Sequence, residues 1–362
     1  MEILLTVKEE IIEMESRAGL VINQSLRPFS FAGFEKKFID NPISKNVLSS
    51  LFSNQIAKLN RQGRLGTATC YQTCYNSLMD FDKKLTLEQI TGDLLCEYEN
   101  RMLGKSKSIT TVGVYLRSLR AIYNEAIDEG LVPKEFYLFG KKKYQIPTGK
   151  NIKKALSLEE IGKFYNFRKN KNDSNYLAYT RAKDFWLFSY FGNGINVKDI
   201  ALLKYKNIRG EYIVIERAKT LRTTRSNPQP ISIFINDDIA NVIKRWGSTD
   251  SSPDNFVFPI IDPKTGIVKQ RKDIQQFTKV INKWTKKIAE ELNIPSKVTT
   301  YTARHSFSTV MKRAGASVEF ISEALGHKDV KTTENYLDSF ENEMKKDFAS
   351  KLSEFKKLKR AG

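Results

Sequence analysis

The chain has 362 residues, with 60 Lys+Arg against 41 Asp+Glu, a net charge of +19 and a pI near 9.6. That length favours two or three domains, 40% hydrophobic residues are enough to bury real cores, and the basic excess points to a polyanion such as DNA or RNA as partner. No apolar stretch approaches the ~18–20 residues of a membrane span, and Glu2, Glu9, Glu10 and Glu13 are foreign to the basic start of a secretory signal, so a cytosolic protein with no membrane partner is expected.

Residues 1–44 resist assignment: Ile3 to Val7 reads as a strand or as a helix start, and the segment suits a remnant of an accessory domain. From 45 to 140 the pattern is helical. Val47, Leu48, Leu51, Phe52, Ile56 and Leu59 recur at helical spacing, and a second helix opens near Gly66. Thr86 and Gln89 read as a capping box before Ile90, Leu94 and Leu95, and a fourth helix runs from about Thr110 to Glu129, stopped by Gly130 and Pro133. Four helices with short connections predict a compact bundle, on which Arg117 and Arg120 are candidates for phosphate contacts. Cys70, Cys74 and Cys96 form no zinc constellation, since the chain has only two histidines. The three read as small buried residues, and their odd number fits a reducing compartment.

Residues 141–156, with Lys141 to Lys143, Pro147, Gly149, Lys150, Lys153 and Lys154, have the composition of a basic linker. Ser157 to Glu160 is another capping box and opens a second domain, 157–340. Phe185 to Phe191 reads as a buried helix, broken at Asn193-Gly194 and resumed from Val197 to Leu203. Tyr212 to Glu216 and Ile231 to Ile235 read as strands joined by a charged hairpin tip. Phe277 to Leu292 and Ala303 to Arg313 read as helices, and Ser317 caps a further one that stops at Gly326. The tail 341–362 reads as a basic amphipathic helix for contact with another protomer. The fold class is therefore mainly α with a small antiparallel sheet. With no phosphate-binding glycine loop and no metal motif in the sequence, neither a cofactor nor a metal is expected.

Arg304, His327 and Tyr336 stand in that order, 23 and 9 residues apart. Arginine clamps phosphate with paired charge-assisted hydrogen bonds, histidine donates to a phosphate oxygen or shuttles a proton, and tyrosine attacks phosphorus and holds it covalently. Together they point to phosphoryl transfer on a polynucleotide. The runs Ala303 to Thr309, Leu325 to Lys328 and Thr332 to Tyr336 resemble the signature boxes of the tyrosine recombinases, or phage integrases, in order and spacing. The helical segment is similar to their SAM-like core-binding domain. The strings Gly192 to Ile200 and Arg217 to Thr220 look closest to mobile-element integrases of Bacteroides-like bacteria.

The resemblance implies a site-specific DNA recombinase with Tyr336 as nucleophile, a 3′-phosphotyrosyl intermediate, Arg304 as phosphate clamp and His327 as a phosphate hydrogen-bonding group. Lys219 resembles the hairpin lysine that protonates the leaving 5′ hydroxyl, and His305 is expected to pack structurally. The resemblance also implies a two-domain clamp on double-stranded DNA and a nucleoid-associated protein, monomeric when free. It further implies a homo-tetramer on paired sites, an accessory DNA-bending protein, and residues 1–44 as the remnant of an arm-type DNA-binding domain. Two positions depart from the family pattern. Tyr301 replaces a histidine, and a phenol, ionising near pH ~10, is a poor general base. Asn196 replaces the first arginine, and an amide supplies no charged fork. Arg217, two residues before Lys219, faces the same side as Lys219 if the strand persists and is the candidate to fill the gap, with Lys198 and Arg222 as weaker ones. A catalytically impaired DNA-binding protein and a type IB topoisomerase-like enzyme are the rival readings.

Overall fold

The computed structural model describes residues 47–87, 89–149, 155–219, 221, 229–327 and 329–334, with a few positions between 11 and 19. The expectations for residues 1–44, the tail 341–362, most of the hairpin tip with Arg222 and Arg225, and Tyr336 itself lie outside the described residues. Contacts divide the chain into a first unit, Met1–Lys150, and a second, Asn151–Gly362.

Over residues 47–149 the first unit includes helices α1 (Val47–Arg61), α2 (Leu65–Phe81), α3 (Gly92–Gly104) and α4 (Ile109–Asp128). The apolar positions spaced by three and four residues bury Leu48, Phe52, Leu59, Leu78, Leu95, Leu116 and Ile122 in one core. Helix α3 starts later than the Thr86 pattern predicts. The Thr86 N–H does donate to Gln89 Oε1 (2.8 Å), but Leu87 and Ile90 are buried in the core, and it is Thr91 whose side chain accepts from the Leu94 N–H to cap the helix. The cysteines divide. Cys74 is buried and its thiol is pushed far up by burial, whereas Cys96 is exposed, on the side of α3 away from Leu95, Tyr98 and Met102. The expectation that all three are buried therefore holds for Cys74, is met only in part at Cys70, which is half-buried, and fails at Cys96. The basic stretch after residue 140 is tied to this unit at its start, because Tyr144 is buried beside Phe139 and donates to Glu99.

In the second unit, α5 (Leu158–Asn166) begins with the reciprocal capping box of Ser157 and Glu160. Helix α6 (Tyr176–Phe191) runs through the core; its second half, from Phe185, is apolar nearly all round, with Trp186 fully buried. After α7 (Val197–Ala201) come β1 (Ile208–Arg209), β2 (Tyr212–Ile215) and β3 (Ile231–Phe234), an antiparallel sheet in the order β1-β2-β3. Alternation turns Ile213, Ile215, Ile231 and Ile233 inward and leaves Tyr212 and Phe234 outside as an edge-to-face pair. Then come α8 (Asp237–Trp246), α9 (Ile267–Glu291), α10 (Thr300–Arg313), α11 (Val318–Ala324) and α12 (Val330–Glu334). Helix α9 begins ten residues before Phe277, because its first turns are polar or exposed and carry no core signal. Among the described residues, no helix is long and apolar enough to cross a membrane.

Two side chains of α6, Asp184 and Trp186, tie other helices to it within this core. Asp184 of α6 is buried and accepts from Arg245 Nη1 (2.6 Å) and Trp246 Nε1 (2.8 Å), which locks α8 against α6. Trp186 Nε1 donates to the Thr299 carbonyl (3.0 Å), which fixes the start of α10 on the same central helix. Trp186→Ala removes both the largest fully buried side chain and this tie, so it is expected to cost about 3–5 kcal/mol; urea unfolding of the full chain measures it, and a loss below about 1 kcal/mol would contradict this account.

Candidate active site

Arg304 lies in the second turn of α10, which Thr299 and Thr302 cap reciprocally. Its guanidinium is buried, with 2% of the residue exposed. Nη1 donates to the Gly194 carbonyl (2.8 Å), Nη2 to the Leu325 carbonyl (2.7 Å), and Nη2 lies 3.0 Å from His327 Nε2. These carbonyls are presented by two turns that depend on glycine. Asn193 and Gly194 both have positive φ, and a Cβ on Gly194 would sit 2.9 Å from Arg304 Cα.

The second turn ends α11. The Gly326 N–H donates to the Glu323 carbonyl (2.8 Å) and the His327 N–H to the Ser322 carbonyl (2.9 Å), a Schellman ending with Gly326 at φ +61°. That ending leaves the Leu325 and Gly326 carbonyls pointing out of the helix. Arg217 takes both: its Nη1 donates to Leu325 O (3.0 Å) and Gly326 O (3.3 Å). Arg217 and Arg304 thus share one carbonyl oxygen, and their nitrogens stand within about 6 Å of each other. Each cation gains from the negative end of the short helix, and together they create a positive locus suited to an anion.

Arg217 keeps the inward parity of Ile213 and Ile215, but the strand does not persist to Lys219. Strand β2 ends at Ile215, and beyond it Arg217 is buried while Lys219 is exposed, so the two do not share a strand face. The segment is held instead by Asp199 of α7, whose buried carboxylate accepts from the Ala218 N–H (2.9 Å), and by a turn in which the Leu221 N–H donates to the Arg217 carbonyl (2.9 Å). Lys219 still belongs to the neighbourhood, because its charge acts on the His327 ring. Burial first, then Arg304, Arg217 and Lys219, hold His327 down to a pKa of about 3. Its imidazole is neutral at physiological pH, with Nδ1 2.9 Å from Thr333 Oγ1.

Other expected residues lie nearby but make different contacts. Asn196 begins α7 without a side-chain capping bond. Tyr301 is half exposed and stacks edge-to-face on His305 (4.7 Å), and His305 is buried. Sequence reasoning missed Thr333, the Leu325 carbonyl and the tie from Asp199 to Ala218. Thr333 in the Thr332 to Tyr336 run and Asp199 three residues after Asn196 were readable as residues, whereas the Leu325 carbonyl left no signal of its own. Among the described residues, no cluster of His, Cys, Asp and Glu forms a metal site.

The glycine turn and the buried imidazole can each be tested. A Cβ on Gly326 would lie 2.5 Å from Ile231 Cδ1 and 2.6 Å from Arg217 Cδ, so Gly326→Ala is expected to destabilise the fold by about 1–3 kcal/mol and to displace Arg217; wild-type stability in urea would refute the constraint. Because the folded pKa of His327 lies below its ordinary 6.5, its contribution to stability is complete above that value and is lost as pH falls towards 3. In a 15N titration, assigned with His327→Gln, the ring should stay neutral at pH 5; a midpoint near 6.5 would show that it is neither buried nor ringed by cations.

Residues 154–343 match the profile of the Phage integrase family, and residues 47–146 that of the Phage integrase SAM-like domain. The chain is similar to a tyrosine recombinase of Thermosipho africanus, 26% identical over 65% of this chain and 73% of the relative. It is also similar to tyrosine recombinase XerC of Listeria monocytogenes, 23% identical over 76% and 88%. Among solved structures it resembles the Tn1549 transposon integrase in complex with transposon right end DNA (TM-score 0.59, 16% identity, 84% of this chain and 98% of that one). It likewise resembles a lambda integrase dimer bound to a core site (TM-score 0.57, 14% identity, 81% and 99%). With the integrase profile spanning more than half of its length, the chain belongs to the phage integrase family of tyrosine recombinases and is a site-specific DNA recombinase.

Proposed function

We propose that Arg304, Arg217, Lys219, His327 and Tyr336 form the catalytic group of this recombinase. The observation that carries the reading is the convergence of two buried guanidiniums on the Leu325 carbonyl beside the His327 ring. A DNA phosphodiester resists attack because its charge repels nucleophiles, so catalysis needs cations on the non-bridging oxygens, a nucleophile in line and an acid for the leaving oxygen. Arg304 and Arg217 supply the two cations, Arg217 standing in for the arginine that Asn196 replaces. Tyr336 forms the new P–O bond and releases its phenolic proton, the P–O5′ bond breaks, and Lys219 protonates the departing 5′ oxygen. The 3′-phosphotyrosyl bond conserves the energy of the phosphodiester, so attack by a 5′ hydroxyl of another strand rejoins DNA without ATP.

Double-stranded DNA is the partner this chemistry requires, and the charge of +19 favours it. Exchange of strands between two sites calls for four protomers on the paired DNA. Each protomer is a monomer when free, its tail 341–362 reaches a neighbour, and a DNA-bending protein assists.

The test is a nicked suicide duplex carrying the junction sequence of the cognate element, on which a 5′ fragment diffuses away and traps the adduct. Wild type should form a covalent protein–DNA adduct and Tyr336→Phe none. Arg217→Ala should slow adduct formation by about 10²–10³-fold, the usual cost of removing one group that stabilises transition-state charge, while still binding the duplex. Wild-type speed in Arg217→Ala would remove Arg217 from the site. Binding without any adduct from wild type would favour an impaired DNA-binding protein, as Asn196 and Tyr301 suggest, and relaxation of any supercoiled plasmid irrespective of sequence would favour topoisomerase activity.

A further inference from the structure

The His327 ring has two nitrogens in different settings. Nε2 lies 3.0 Å from Arg304 Nη2. A guanidinium has donors and no acceptor, so Nε2 must offer its lone pair there. In a neutral imidazole the proton then sits on Nδ1, and Nδ1 faces Thr333 Oγ1 at 2.9 Å. The hydroxyl therefore accepts from Nδ1–H. Thr333 is fully buried on α12, six residues beyond His327. A buried hydroxyl requires a partner, and the imidazole is one.

We propose that Thr333 is a positioning residue of the active site: its hydroxyl holds the Nδ1 proton of His327 and so keeps the Nε2 lone pair turned towards Arg304. The inference rests on the reading of His327 as a phosphate-site group. The same hydroxyl serves both protonation states. When Nε2 gains a proton and donates it to a phosphate oxygen, Nδ1–H still points at Thr333 Oγ1 and the ring need not turn. Thr333 also stands three residues before Tyr336 in the sequence, so this one hydrogen bond ties the ring to the start of the segment that carries the nucleophile.

The experiment uses the full chain. In the DNA-free, 15N-labelled wild type, the His327 ring should show the signature of a neutral Nδ1–H tautomer. Thr333→Val keeps the branched shape and deletes the acceptor. It should lose the hydrogen-bonded Nδ1 proton and form the suicide-substrate adduct about tenfold more slowly at saturating DNA, the size of one lost hydrogen bond, with unchanged DNA binding. Thr333→Ser returns the hydroxyl and should restore both signals. A wild-type ring protonated at Nε2, a Thr333→Val protein that cleaves at wild-type speed, or a Thr333→Ser protein as slow as Thr333→Val would each overturn the assignment. If Thr333→Val does not fold, the wild-type tautomer and the Thr333→Ser rate decide. Failure of the catalytic reading itself would look different, because wild type would form no adduct while the tautomer measured without DNA stayed as described.

Discussion

The shared acceptor at Leu325 is the constraint on which the rest of the site depends. One carbonyl oxygen receives a guanidinium nitrogen from Arg217 and another from Arg304, residues that reach it from the end of a strand and from the middle of a helix. Taking two guanidiniums out of water is costly, and bringing like charges together adds repulsion. Carbonyl dipoles at Leu325, Gly326 and Gly194 offset part of that cost. They do so without neutralising the charge, which remains available to an anion. A carboxylate in their place would bind the arginines more tightly and would compete with a phosphate for them.

The backbone of α11 exists in this form because of Gly326. A helix that continued would hold the Leu325 carbonyl in its own ladder. The left-handed residue stops the ladder, lets its own N–H and that of His327 satisfy the Glu323 and Ser322 carbonyls, and leaves the Leu325 and Gly326 carbonyls for the arginines. His327 comes immediately after, so the same turn that creates the arginine seat also delivers the imidazole to its edge. The depressed basicity of that imidazole is a product of the seat: burial disfavours the imidazolium, and each neighbouring cation adds to the effect. An anion bound among those cations would offset their part of the effect and leave the part due to burial.

The sequence was legible where one local rule decided the outcome. The capping box at Ser157, the apolar second half of α6, the alternation of β2 and β3 and the stop at Gly326 each depend on residues within a few positions of one another. It was less legible where a longer contact intervened. Thr86 and Gln89 make half of a capping box without starting a helix, because Leu87 and Ile90 are drawn into the core and Thr91 takes over as cap. Helix α8 was unread although Asn236, Asp237 and Asp238 at its start and Lys244 and Arg245 at its end mark it clearly; its apolar stripe is short and lay between stronger signals. At the site, Arg304 and His327 could be found by spacing. Their orientation could not, because it depends on carbonyls 110 and 21 residues from Arg304, and a carbonyl has no signature in a sequence.

In the proposed assignment, Arg217 keeps a charge in the site while moving its source. Asn196 sits at the start of α7, and three residues on, Asp199 holds the Ala218 N–H, which lies between Arg217 and Lys219. The α7 turn therefore positions the segment that brings the charge, even though its own first residue is neutral. Because the carboxylate is buried and spent on a backbone N–H, its role is geometric, and the proposed exchange of Asn196 for Arg217 depends on it as much as on either arginine.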